Sequence, residues 1–174
     1  MKLIEPTTEY AEQIRAYRKE FLDSGDSMDG TSGLRRYEDP KEWIKHLNIM
    51  KDTATIPDGY APASLYLFVR EEDQKIIGMI DVRHSIDANE NLKRFGGHIG
   101  YSIAPSERRK GYATQMLAMT LPIVKGLGIK KALVTCTSEN EGSRKTILKN
   151  GGIYESKLYD EENDRWIERY WIDL

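Results

Sequence analysis

Apolar and polar positions alternate with different periods along this chain, and each change of period marks an element. Residues 2 to 5 suit a short first strand, closed by Pro6. Thr8 can cap a helix whose apolar residues Tyr10, Ile14, Tyr17 and Phe21 recur at helical spacing until Gly25 ends the stripe. The segment GDSMDGTSGLRRYE (25–38) carries turn residues without a period and reads as a loop. Asp39, Pro40 and Glu42 mark a second helix start, after which Trp43, Leu47 and Met50 share a face.

Beyond the turn-rich IPDGYAP, the runs SLYLFVR (64–70) and IIGMIDVRH (76–84) flank EEDQK and predict a hairpin. HIGYSI (98–103) predicts the next strand. A helix over 111–125 would bury Ala113, Leu117, Leu121 and Val124 or their neighbours, and Pro122 inside it is expected to kink or shorten it. KKALVTCT (130–137) predicts a strand, and EGSRKTILKN (141–150) a short helix capped by Asn140 with Gly151 past its end. GIYESKL and RWIERYWID are two final strands around YDEENDR. The order is β-α-α-β-β-β-α-β-α-β-β. Consecutive hairpins with one strand–helix–strand crossover place the chain in the mixed α/β class, a mixed sheet with helices packed against it.

Composition narrows the function classes. A length of 174 residues suits one domain over 1–174, and 39% hydrophobic beside 31% charged residues reads as globular. A net charge of −2 and a pI near 6.0 give no general attraction to nucleic acid. No apolar run approaches the roughly 18 residues of a membrane helix, and MKLIEPTTEYAEQ lacks the apolar centre of a secretion signal. The single cysteine, Cys136, excludes an intrachain disulfide and reads as a buried strand residue, which makes cytoplasm the expected compartment. His46, His84 and His98 fall at no metal-ligand spacing, so no structural metal is expected.

The chemistry concentrates in IAPSERRKGYATQM (103–116), where a strand gives way to a helix through Arg108, Arg109, Lys110 and Gly111. The first turn of a helix leaves its N–H groups unpaired and partly positive, which suits an anion such as a pyrophosphate. Gly111 would let that anion approach the main chain, and small Ala113 would serve the same end. The residues alone equally allow a solvated basic loop. No Gly-Lys-Ser/Thr run of the nucleoside-triphosphate type is present.

HIGYSIAPSERRKGYATQML resembles the acetyl-coenzyme A motif of the GNAT superfamily of N-acetyltransferases: a strand, a loop with Gln/Arg-x-x-Gly-x-Gly/Ala, then a helix. NEGSRKTILKNGG resembles that family's next motif, an asparagine with a small residue three later, here Asn140 and Ser143. The two motifs span about residues 98 to 153, and the element order agrees with the family fold, a largely antiparallel mixed sheet of about six to seven strands flanked by about four helices.

The resemblance implies that main-chain N–H groups of Arg108, Arg109, Lys110, Gly111, Tyr112 and Ala113 bind the pyrophosphate of acetyl-CoA. It implies that a bulged strand at Ser102 and Ile103 pairs with the pantetheine arm, and that Asn140 and Ser143 touch that arm or hold its loop. The implied reaction is direct attack of a primary amine, of a small molecule or peptide, on the acetyl thioester. Many relatives place a glutamate base before Ile-Gly-Tyr; His98 stands there, either to deprotonate the amine or to make a structural hydrogen bond at the strand start. Many also place a tyrosine acid seven residues after the motif asparagine. Here that position is Ile147, which leaves the acid unassigned among Tyr101, Tyr112, Tyr154 and water, and keeps a non-catalytic acyl-CoA sensor as the alternative. The expected partners are acetyl-CoA and an amine, with no nucleic acid, membrane or metal, and with a homodimer left open.

Overall fold

A computed structural model describes residues 1–174. One seven-stranded sheet runs through it, with strands β1 (Lys2–Ile4), β2 (Ala63–Arg70), β3 (Lys75–Arg83), β4 (Ile99–Ile103), β5 (Lys131–Thr137), β6 (Ile153–Asp160) and β7 (Arg165–Asp173) in the spatial order β1-β2-β3-β4-β5-β7-β6. All neighbours are antiparallel except β4 and β5. The helices are α1 (Ala11–Ser24), α2 (Pro40–Lys51), α3 (Tyr112–Gly126) and α4 (Glu141–Lys149). The mixed α/β class and the element order are as the periodicity predicts.

The sheet separates two apolar layers. Ile14, Tyr17 and Phe21 of α1 and Trp43 of α2 pack on Leu65, Leu67, Val69 and Met79 on one face. On the other, Met116, Leu117 and Val124 of α3 and Ile147 of α4 pack on Ile80, Ile99, Ile103, Val134 and Tyr170. Along β3 the apolar residues run on without alternation because both faces are covered and a bulge between Phe68 and Val69 shifts the register.

Three local expectations change. Thr8 caps nothing with its side chain; it begins a 3-10 turn, Thr8–Tyr10, from which α1 continues. Pro122 does not shorten α3, which runs on to Gly126. Pro122 and Ala118 both face solvent, so the carbonyl deprived of its donor can bond to water. Ala113 and Leu121 are only half-buried, the fully buried face being Met116, Leu117, Thr120 and Val124. By contrast Asp39 caps α2 as expected, its carboxylate accepting from Lys41 N–H at 3.0 Å with Pro40 at the first position.

The loop 25–38 lies directly on β4. Trp43 is fully buried and its indole N–H donates to the Thr31 carbonyl at 2.9 Å, which holds the loop down. Gly30 then sits with its Cα 3.2 Å from where a Cβ of Gly100 would be, and a Cβ on Gly30 would stand 2.2 Å from Tyr101 N. Only two facing glycines allow this approach, and Gly30 also needs its left-handed φ of 65°. Gly59 has a similar φ of 81° but open space around it. Gly59→Ala should cost about 1–2 kcal/mol, lowering Tm by roughly 2–8 °C. Gly30→Ala should lower Tm at least twice as far, because backbone must also move; equal shifts in thermal unfolding would contradict this packing.

Candidate active site

Between β4 and β5 the sheet comes apart. Their single register pair is Ile99 with Val134, so β4 from Gly100 to Ile103 has no strand partner on that side. Parallel strands joined at one point and free beyond it form a V. α3 follows the end of β4 and α4 the end of β5, so two helix N-termini flank the open end.

The apex of the V is closed by His98. Its N–H donates to the Leu133 carbonyl at 2.7 Å, and its ring Nδ1 accepts the Leu133 N–H at 2.9 Å. The ring is buried and edge-on to Trp171, with centroids 6.4 Å apart. A side-chain nitrogen thus replaces the carbonyl that a continued ladder would supply. For a neutral imidazole this bond requires the proton on Nε2, so Nδ1 has its lone pair engaged and Nε2 has none free. This ring is not placed to take a proton from an amine, which corrects the base role expected for His98; it makes the structural bond that the sequence left open beside it.

Burial, and secondarily the Arg83 cation, lower the His98 pKa from its usual value. The unfolded chain takes up a proton near the ordinary histidine value of about 6.5, whereas the folded ring resists it. His98 therefore contributes stability above that pH, and the contribution is lost as pH falls through the folded value. His46 and His84 are shifted the same way by burial, so a difference measurement is needed. His98→Asn, whose amide oxygen can still accept from Leu133 N–H, should lose less stability than wild type between about pH 7.5 and 5.5 in denaturant titrations. Equal losses would mean that the ring titrates freely.

At the open end the loop from Arg108 to Gly111 turns twice through left-handed backbone, at Arg109 (φ 64°) and Gly111 (φ 82°). Gly111 is the N-cap of α3, and its missing side chain faces open space, with nothing within 4 Å of an added Cβ. No protein acceptor bonds the main-chain N–H groups from Arg109 to Thr114; the first α3 bond is Gln115 N–H to the Gly111 carbonyl at 3.2 Å. Successive free N–H groups at a helix start form an anion cradle, and a pyrophosphate fits it.

The basic triplet divides. Arg108 donates to Asp26 Oδ2 at 2.6 Å and to the Ile103 carbonyl at 3.2 Å, and lies over the Phe21 ring, tying the loop 25–38 to β4. Lys110 pairs with Glu107 at 2.9 Å. Glu107 is buried and also meets Lys75 at 2.6 Å and Arg70 at 3.3 Å; hydrogen bonds from Lys75 first, then Lys110, hold its carboxyl down at about 2. Arg109, exposed like the other two, is the one that makes no ion pair. Half-buried Tyr112 meets Phe68 edge-on at 6.4 Å, and Ala113 begins α3 beside it.

Within the V, the Ser102 hydroxyl and carbonyl each lie 3.1 Å from the Tyr17 hydroxyl on the α1 face. On the other face Tyr101 reaches across to α4, its hydroxyl 2.8 Å from Ser143 Oγ. Asn140 caps α4, its side-chain oxygen accepting from Ser143 N–H at 2.9 Å. Ile103 is buried beneath α3. The bulge expected at Ser102 and Ile103 is not there: β3–β4 register runs unbroken from Val82–Ile99 to Gly78–Ile103, which antiparallel pairing with β3 enforces. Cys136 is buried as expected, its thiol pushed up to about 11 by burial first and Glu168 second. Tyr17 and Glu107 were missed from sequence. Tyr17 looked like one more apolar position of α1, and Glu107 like one charge in an exposed loop, although an acid beside three cations was a signal.

The acetyltransferase (GNAT) domain family matches residues 30–153. No curated protein sequence matches the chain. Among solved structures, a mutant form of the spermidine N-acetyltransferase SpeG from Vibrio cholerae superposes with a TM-score of 0.68 at 17% identity, covering 99% of this chain and 95% of that one. The microcin C7 self-immunity acetyltransferase MccE, in complex with acetyl-CoA and AMP, gives 0.70 at 18%, over 99% and 91%. The ribosomal-protein-S5-alanine acetyltransferase from Vibrio fischeri gives the same values, 0.70 at 18% over 99% and 91%. At these identities the likeness is one of fold.

Proposed function

Because this chain belongs to the GNAT acetyltransferase family, we propose that it moves an acetyl group from acetyl-CoA to a primary amine of a small molecule or peptide, with residues 1–174 acting as one unit in the cytoplasm. The observation that carries the cofactor reading is the run of unbonded N–H groups from Arg109 to Thr114 at the open end of the V. They receive the pyrophosphate, with Arg109 adding a free positive charge. The pantetheine arm then lies along the unpaired side of β4 from Gly100 to Ile103, as an added strand would, and passes the Asn140–Ser143 turn. Main-chain N–H groups near Ser102 and Ile103 polarise the acetyl carbonyl, where negative charge develops during attack.

The acceptor is an ammonium at neutral pH, with a reference pKa near 10.4, so it must lose a proton before it attacks. With its Nδ1 bonded to Leu133, His98 positions the strands and water takes that proton. Two of the structural neighbours are a spermidine N-acetyltransferase and a ribosomal-protein-S5-alanine acetyltransferase, and both named groups offer amines. They define a first panel: spermidine and peptides headed by alanine. Thiol release from acetyl-CoA above the no-amine rate with any of these supports transfer. Tight binding without release across the panel supports an acyl-CoA sensor instead, the alternative that the non-ionisable Ile147 keeps open.

Gly111→Val puts a branched side chain at the cradle and strains a left-handed position, so calorimetric titration should show acetyl-CoA affinity falling at least tenfold, about 1.4 kcal/mol. Arg109→Ala removes one exposed charge and leaves the N–H groups in place, so its loss should be smaller. The opposite ranking in two folded variants would mean that side-chain charge, not main chain, holds the phosphates. His98→Asn should keep kcat within about threefold of wild type, whereas losing a positioned base would cost roughly 10² or more.

A further inference from the structure

Transfer requires a proton at the departing sulfur, and the side chain that many GNAT relatives use for it has no counterpart at Ile147, which is fully buried against the α3–α4 core and cannot ionise. Three tyrosines were left open by sequence, and two are placed elsewhere. Tyr112 packs on Phe68 at the start of α3, and Tyr154 lies more than half exposed on the outer strand against Tyr170. Tyr101 alone extends from β4 across the V to α4.

We propose that Tyr101 is the acid that protonates the leaving thiolate, with Ser143 as its proton relay. This rests on the reading that the thioester lies between β4 and β5. The phenol hydroxyl stands 2.8 Å from Ser143 Oγ and 3.4 Å from the Ser143 carbonyl, inside the mouth that the pantetheine arm would enter. Ser143 Oγ can donate to the phenol oxygen, which leaves the phenol proton free to point at sulfur, or accept from it. Ser143 is itself fixed by the Asn140 cap, so the pair is held from both strands. The groups that face the phenol are Ser143 and Thr146 on α4 and Cys136 on β5. None is a cation that would draw its proton away, and burial raises the Tyr101 pKa, which keeps the phenol protonated across the physiological range.

The amine nitrogen forms a bond to the acetyl carbon and the carbon–sulfur bond breaks, its electron pair leaving on sulfur. The Tyr101 proton moves to sulfur, giving the free thiol. Ser143 passes a proton to the phenol oxygen and recovers one from water, and the nitrogen, which gave its first proton to water as the ammonium, gives water a second on becoming the amide. Counted from the ammonium, two protons leave nitrogen: one ends on sulfur and one in solvent.

Coenzyme A itself tests this without an acceptor. A phenol that donates to sulfur stabilises the bound thiolate, so its ultraviolet absorbance should reach half-height at lower pH on wild type than on Tyr101→Phe. The expected separation is about one pH unit, tenfold in the ionisation constant. Tyr101→Phe keeps the ring, so Tm and coenzyme A affinity at low pH should stay within a small margin of wild type. With an active amine from the panel, kcat should fall roughly 10²-fold while KM for acetyl-CoA changes less than twofold. If Tyr101→Phe fails to fold, the wild-type protein still decides. Its preference for coenzyme A over desulfo-coenzyme A should grow as pH rises through the thiol ionisation, and a preference independent of pH overturns the proposal. Equal thiol ionisation on both proteins also overturns it, as does a loss confined to KM. Failure of wild type to bind coenzyme A at all would overturn the cofactor reading itself, a separate result.

Discussion

The site depends on one departure from sheet geometry: β4 and β5 pair at Ile99 and Val134 and nowhere beyond. Two parallel strands in a buried sheet normally continue their ladder, because unpaired main-chain groups away from water are costly. Here the cost is limited at the apex by the two bonds between His98 and Leu133, one of them through a side-chain nitrogen. Above the apex the unpaired groups face a cleft that a bound chain can enter. The fold thus keeps a cleft between β4 and β5 and places two helix starts at its mouth.

Both walls of that cleft are held from outside it. On the α1 side, Trp43 pins Thr31, which lays Gly30 on Gly100, and Arg108 links Asp26 to the Ile103 carbonyl. The loop after β4 is held from below by Glu107, whose buried carboxylate meets Lys75, Lys110 and Arg70 together. A buried carboxylate without cations would be strongly disfavoured, and three flexible cations without it would repel one another. This arrangement ties Arg108 and Lys110 into ion pairs and leaves Arg109 and the main-chain N–H groups from Arg109 to Thr114 without a protein partner. A basic triplet is therefore not three equivalent charges.

Much of this was legible in the sequence, and the reasons differ by element. The helical stripes of α1 and α2, the two hairpins and the caps at Asp39 and Asn140 follow from local periodicity and hydrogen-bonding chemistry, which the structure keeps. The left-handed N-cap at Gly111 was legible because a glycine between a basic run and a helical stripe marks a strand–helix junction, whereas the free N–H groups around it depend on how the loop folds. Thr8 and Pro122 failed as signals because each was read locally. A 3-10 turn absorbed the first, and solvent at Ala118 tolerated the second. His98 failed for a different reason. Its position before Ile99, Gly100 and Tyr101 suggested chemistry, but which ring nitrogen is engaged depends on Leu133, 35 residues away.

Tyr101 shows the same limit from the other side. Along β4, alternation sends Ile99, Tyr101 and Ile103 toward α3 and α4, and sequence leaves Tyr101 as one tyrosine among three. What separates it is its hydroxyl, and that hydroxyl acquires meaning only because α4 begins where it does, with Ser143 in its first turn. Deep apolar burial of Ile147 in the same helix frees that face of α4 for packing, and the polar work at its start falls to Asn140 and Ser143. Polar bonding and apolar packing are thereby divided along one short helix: its N-terminal turn carries the Asn140 cap and the Tyr101 contact, and the following turn closes the core.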